Sequence, residues 1–123
     1  MPEQANYSSP LSILCMVIIA LMLALPVIFN IFPPKKINAF YGYRTPFSMK
    51  NQDTWTEANT YFNKLYLKLA IGITIISAIL FFLFKPLTLL MILSIFPILP
   101  ILISAFATSK HLESIFNENG ERL

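Results

Sequence analysis

Hydrophobic positions in this chain are gathered into blocks instead of recurring at the period of a soluble helix or strand. Leu11 to Phe32, about Leu65 to Phe84, and Leu87 to Ser109 carry almost no charge. Runs of about 20 apolar residues are the mark of membrane-spanning helices. At ~1.5 Å rise per residue, each is long enough to cross a hydrocarbon core of about 30 Å. Pro26 predicts a kink near the end of the first span, and Pro33-Pro34 stop it, because a residue before proline avoids helical angles. Lys68 sits one turn inside the second span, where its long stem can return the ammonium to the headgroups. Lys85-Pro86 is the whole connection to the third span, which forces an antiparallel hairpin. Pro97 and Pro100 predict a kink in that third span.

Between the first and second spans, residues 33–64 break the pattern. Ser48 or Asn51 can cap a helix that has Asp53 in its first turn. From there Trp55, Ala58 or Asn59, Phe62, Tyr66 and Leu69 recur at spacings of three and four, an amphipathic stripe. This predicts a juxtamembrane helix that either continues into the second span or bends on entering it. Lys110 to Leu123 read as a polar tail ending in a glycine-containing fray. The expected fold is therefore an all-α membrane protein, one transmembrane domain over residues 1–123. It has spans at about 11–32, 65–84 and 87–109, with a cytoplasmic juxtamembrane amphipathic helix before the second.

Composition agrees with this division. Of 123 residues, 56 % are hydrophobic and 12 % charged, against about a quarter charged in soluble domains. Residues 1–10 hold Glu3 and no lysine or arginine, and bulky Ile13 and Leu14 precede Cys15. Neither a secretory nor a lipoprotein leader has that form, so an uncleaved first span is expected. The net charge of +3 is a matter of orientation, not of nucleic-acid binding. Lys35, Lys36, Arg44, Lys50, Lys64 and Lys68 lie in the first loop and its helix, Lys110 and Arg122 in the tail, and Lys85 alone in the opposite turn. Eight against one places the loop and the C-terminus in the cytoplasm and the N-terminus outside.

Catalysis finds little support. The spans contain no Asp, Glu, His or Arg, hence no intramembrane acid–base pair or proton relay. Asp53 and Glu57, one turn apart, read as a solvated face, and His111 falls in a tail expected to be mobile. One cysteine and one histidine exclude an internal disulfide and argue against a metal centre. No glycine-rich phosphate loop is present. The reading is a protein without enzymatic activity, metal or cofactor. Ala70, Thr74, Ser77 and Ala78, with Ser104, Ala105 and Thr108, suit close helix packing within the chain or a homo-oligomer.

That elimination leaves Asn38-Ala39-Phe40-Tyr41-Gly42-Tyr43-Arg44-Thr45-Pro46-Phe47-Ser48. Gly42 can take backbone angles closed to other residues, Pro46 stiffens the exit, and Arg44 offers a planar fork of donors. On physical grounds alone this is an interfacial anchor. Phe40, Tyr41, Tyr43, Phe47 and Trp55 would form an aromatic belt and Arg44 would sit on a lipid phosphate. A recognition element is the competing reading.

The run Asn38 to Pro46, followed by Ser48, Lys50-Asn51, Trp55 and Ala58-Asn59, resembles the signature of the SdpI family of bacterial membrane proteins. There a GYRTP loop precedes Ser, Asn, Trp and Ala at this spacing, beside a transmembrane helix pair. The best-known member is an immunity protein that protects against a secreted toxin and holds a transcriptional repressor at the membrane. It is a longer, six-span protein, whereas this chain has three spans and the signature half only. The resemblance implies a binding role toward a toxin-like peptide or a cytoplasmic regulator, through Gly42, Tyr43, Arg44, Thr45, Pro46, Asn51, Trp55 and Asn59. In that role Tyr43 and Arg44 make contacts, Gly42 and Pro46 set the loop's shape, and Trp55 and Asn59 brace it. The alternative is a structural or accessory subunit whose loop only holds lipid.

Overall fold

The computed structural model describes residues 6–123; Glu3 and its neighbours lie outside them. Four helices follow in order: α1 Pro10–Ile31, α2 Gln52–Leu83, α3 Pro86–Leu93 and α4 Ile98–Ile115. Taking α3 and α4 as one crossing, three segments are long and apolar enough to span a membrane, and strands are absent among the described residues apart from an isolated Phe116–Arg122 bridge.

α1 begins where Ser9 caps it, the Ser9 hydroxyl accepting from the Ser12 amide, with Pro10 in the first turn, a position where proline's missing donor costs nothing. α1 and α2 are antiparallel. At one end of the bundle the Asn30 side chain donates to the Asn63 carbonyl at 3.0 Å and the Asn63 side chain to the Phe29 carbonyl at 3.2 Å. At the other, Tyr7 packs on Phe81 and Phe82 with ring centroids 5.6 and 5.9 Å apart.

The juxtamembrane stripe and the second span form one helix. Its 32 residues extend about 48 Å at ~1.5 Å each, well beyond the roughly 30 Å of hydrocarbon. The excess is the charged stretch from Gln52 to about Asn63, which projects past the membrane. Trp55, Ala58, Asn59, Phe62 and Tyr66 are buried, and the stripe continues through Ala70, not Leu69.

The third span departs from expectation. A single kinked helix is replaced by two helices, with residues 94–97 between them non-helical. Pro97 and Pro100 have no amide to offer the carbonyls one turn earlier. The chain turns instead through tighter bonds, Ile95 N–H to Ile92 C=O at 3.1 Å and Ile98 N–H to Ile95 C=O at 3.0 Å. The break changes partners: α3 lies mainly on α1, while α4 packs on α2. Two buried clusters result. Cys15, Met22, Leu89 and Leu93 fill the end near the short turn. Tyr43, Ala58, Phe62, Tyr66, Ala70, Leu112 and Phe116 fill the end near the long loop.

The C-terminal segment also differs from the expected fray. α4 runs on through His111 to Ile115. Residues 116–123 then fold back, with Asn117 N–H bonding Glu121 C=O at 2.9 Å and Leu123 N–H bonding Ile115 C=O at 2.8 Å.

Candidate functional site

The long loop is held from beneath by α2. Asn51 caps that helix in a reciprocal box with Thr54, satisfying first-turn donors that would otherwise be orphaned. This orients the first two turns so that Trp55 and Asn59 face the loop. The Trp55 indole N–H donates to the Pro34 carbonyl at 2.6 Å, and the ring is fully buried. The Asn59 side chain accepts from the Tyr43 amide at 2.7 Å and donates to the Trp55 carbonyl at 3.1 Å and, more weakly, to the Tyr43 carbonyl at 3.4 Å. Both backbone groups of Tyr43 are thus read by one buried amide.

Gly42 lies at φ +113°, a region L side chains avoid. A Cβ there would stand 2.8 Å from Asn59 Oδ1 and 2.8 Å from Pro34 Cγ. Conformation and space therefore both require glycine. After it, Tyr43 turns inward. Its ring stacks on Phe62 at 5.3 Å, and its hydroxyl donates to the Ala105 carbonyl of α4 at 3.2 Å. Burial raises the pKa of that phenol, so it stays a neutral donor.

Thr45 to Ser48 form a closed turn. The Thr45 amide donates to Ser48 Oγ at 2.8 Å and the Ser48 amide to Thr45 Oγ1 at 3.0 Å. The Ser48 hydroxyl lies 3.0 Å from the Tyr43 carbonyl, and the Thr54 hydroxyl reaches the Ser48 carbonyl at 3.1 Å. On the other side of Gly42, the Asn38 side chain accepts from the Phe40 and Tyr41 amides, both at 2.9 Å, a local turn of the kind short amides favour.

The loop thus uses most of its polar groups on itself and α2. What it turns outward is different. Phe40 is 89 % exposed, Arg44 and Pro46 are exposed, and Lys35 and Lys36 flank them. The Arg44 guanidinium touches the Ala39 carbonyl, and among the described residues it has no carboxylate partner.

A charged cluster adjoins the loop's exit. Arg122 donates to both Asp53 oxygens, at 2.8 and 2.7 Å, and to Glu57 at 3.2 Å. Glu57 also meets His111 Nε2 at 2.8 Å, and the imidazole stacks on Tyr61 at 3.9 Å. Asp53 and Glu57 belong to the part of α2 that projects past the membrane. The hydrogen bond from Arg122 holds the Asp53 carboxyl below its ordinary pKa, and that with His111 does the same for Glu57, aided by Arg122. The expectation of a solvated acidic face and a mobile histidine is corrected here: the pair is an anchor for α4 and the tail.

Of the residues singled out from sequence, the structure brings Gly42, Tyr43, Thr45, Asn51, Trp55 and Asn59 into one continuous network and leaves Arg44 and Pro46 on its outside. Sequence reasoning missed Pro34, Thr54, Asn63, Gly120 and Arg122. Asn63 and Asn30 had a visible signal, as amides at the edge of apolar runs. Arg122 had none, since nothing local links it to Asp53 sixty-nine positions earlier. Among the described residues no cluster of His, Cys, Asp and Glu could hold a metal ion.

Comparison with known proteins adds an independent finding. The model of the SdpI/YfhL protein family matches residues 35–106, which takes in the loop, all of α2 and most of the third crossing. YfhL of Bacillus subtilis (strain 168), described as an uncharacterized protein, is 51 % identical over 41 residues, 33 % of this chain and 37 % of that relative. The aligned stretch thus spans little more than a third of the curated relative's length. No solved structure matches the chain.

Proposed function

We propose, from the premise that this chain belongs to the SdpI/YfhL protein family, that it is a multi-pass membrane protein acting by recognition through the outer face of its Gly42–Pro46 loop. The partner is a toxin-like peptide or a regulator at the cytoplasmic surface. The single observation that carries this reading is the division of labour within the loop. Gly42, Tyr43, Thr45, Trp55 and Asn59 are consumed in holding its shape, while Arg44 is held at the surface without an acidic partner among the described residues. A rigid frame presenting one guanidinium fork and one exposed aromatic is what a small recognition surface needs, because the ordering cost has been met before binding.

The orientation that goes with this reading has the N-terminus outside and the loop and C-terminus inside, by the eight-to-one distribution of lysine and arginine. Such recognition would serve immunity to a toxin or relay to a regulator, and catalysis has no part in it.

A second reading is favoured by one observation. Ile31 and Phe32, where α1 leaves the membrane, are 62 % and 68 % exposed and continue toward the exposed Phe40. In that reading the loop face holds lipid headgroups only. Arg44→Lys separates the two. Recognition by a bidentate fork is damaged by lysine, whereas a lipid phosphate accepts either cation. Pull-down of partners from membranes of the native host, with wild type, Arg44→Lys and Arg44→Ala at matched expression, is the test. Equal capture by all three variants refutes recognition.

A further inference from the structure

The tail is tied to the loop as well as to α2. Lys50 Nζ donates to the Glu118 carbonyl and lies over the Phe47 ring at 4.8 Å. The Asn51 side chain, whose oxygen caps α2, uses its nitrogen to reach the Gly120 carbonyl at 2.8 Å. Phe47 meets Phe116 edge to face at 6.5 Å, and Arg122 covers the other partner of that contact, 5.0 Å from the Phe116 ring. Gly120 is at φ +79°, and a Cβ there would strike Asn51 Nδ2 at 2.9 Å. The tail therefore follows a close, shape-specific path across the loop exit, and Arg122 fastens its end to Asp53 and Glu57.

We propose that residues 116–123 form a releasable strap which, through the Arg122 ion pairs, sets the rigidity of the loop exit from Phe47 to Asn51 and so the presentation of Arg44. Two features make it releasable. Its Arg122–Asp53 ion pair is about half exposed on both sides, the class that salt screens and competing cations displace, and Glu57 is the more sheltered of the two carboxylates. Apart from the Phe116 and Leu123 amides, which bond carbonyls of α4, its backbone is held to the rest of the chain by two side chains, Lys50 and Asn51. A cation that competes for Asp53 and Glu57, on a partner or in solution, lets go of Arg122 and loosens Phe47, three residues from Arg44. The groups bonded to Glu57 are His111 from α4 and Arg122 from the tail; on α2 itself Asp53 and Tyr61 stand one turn to either side of it.

The strap deepens the recognition reading above, yet its test involves no partner, so the two can fail separately. Hydrogen exchange is followed by mass spectrometry on the full chain in lipid nanodiscs, for wild type, Arg122→Lys and Arg122→Gln. The expected result is exchange over residues 45–51 about fivefold faster in Arg122→Gln, intermediate in Arg122→Lys, and unchanged over 66–80. Acceleration confined to 116–123 overturns the proposal, since the tail then frays without consequence for the loop. If Arg122→Gln loosens the whole bundle, the unmodified chain decides. Raising NaCl from low to molar concentration accelerates residues 45–51 if the strap is electrostatically fastened, and the absence of that response overturns it.

Discussion

A Cβ on residue 42 would fall 2.8 Å from Asn59 Oδ1, the same oxygen that accepts the Tyr43 amide at 2.7 Å. Gly42 and Asn59 are thus one device: the glycine exists so that the amide can approach the backbone of the next residue. Asn59→Ala leaves the buried Tyr43 amide without its partner and should cost about 1–3 kcal/mol. Gly42→Ala meets both strain and collision and should cost at least as much. Thermal unfolding in detergent of the two single variants and the double variant checks the coupling. The double should lose less than the sum, because removing Asn59 removes one of the two clashes, while Pro34 retains the other.

Trp55 reports on the loop directly. It is the chain's single tryptophan and is fully buried beneath Pro34. Its emission should be blue-shifted and poorly quenched by acrylamide in wild type. Gly42→Ala should shift it to the red and expose it to quencher. Trp55→Phe leaves the carbonyl of buried Pro34 without its donor and should lower stability by about 1–3 kcal/mol.

The cluster on the overhang of α2 gives a pH dependence of definite sign. Asp53 and Glu57 both titrate below their ordinary values. Their contribution is therefore full above the unfolded carboxylate range and is lost as pH falls through the depressed folded values, below about pH 4. Protection of residues 116–123 from hydrogen exchange should persist down to about pH 5 and collapse below about 4. In Asp53→Asn/Glu57→Gln the tail should be unprotected throughout, with no such step.

Orientation is tested by paired single cysteines in a Cys15→Ala background. Ser48 is fully buried and makes a poor reporter, whereas Lys36 and Ser8 are exposed at opposite ends of the bundle. Lys36→Cys should resist a membrane-impermeant maleimide in intact cells and Ser8→Cys should react with it. Labelling of Lys36→Cys from outside reverses the topology and puts the loop where secreted peptides arrive.

The Tyr43 hydroxyl is the link between loop and α4. Tyr43→Phe loses one bond to the Ala105 carbonyl and should cost about 0.5–1.5 kcal/mol. Tyr43→Ala also empties the space beside Phe62 and should cost about 3–5 kcal/mol. If Tyr43→Ala proves as mild as Tyr43→Phe in detergent unfolding, the packing role argued for this ring is wrong.

Much of this architecture is written locally. Uncharged length specifies the spans, because lipid offers no partner to a backbone that is not helical. Asn51, Asp53 and the three–four stripe from Trp55 to Tyr66 announce a capped helix with one buried face. Pro97 and Pro100 announced trouble in the third span, though not its form. Whether a freed carbonyl yields a kink or a full break depends on what each half packs against, and α3 and α4 pack on different helices.

Sequence by itself therefore determined the membrane class, the number of crossings and the loop as the place to look. Each follows from hydrophobicity and propensity summed over neighbours. Tertiary structure alone decided which loop residues are frame and which are surface. It turned Tyr43 inward and Arg44 outward from adjacent positions, and it joined Arg122 to Asp53. The physical reason is that a side chain's role is set by the group it meets, and here those partners lie between 16 and 69 residues away.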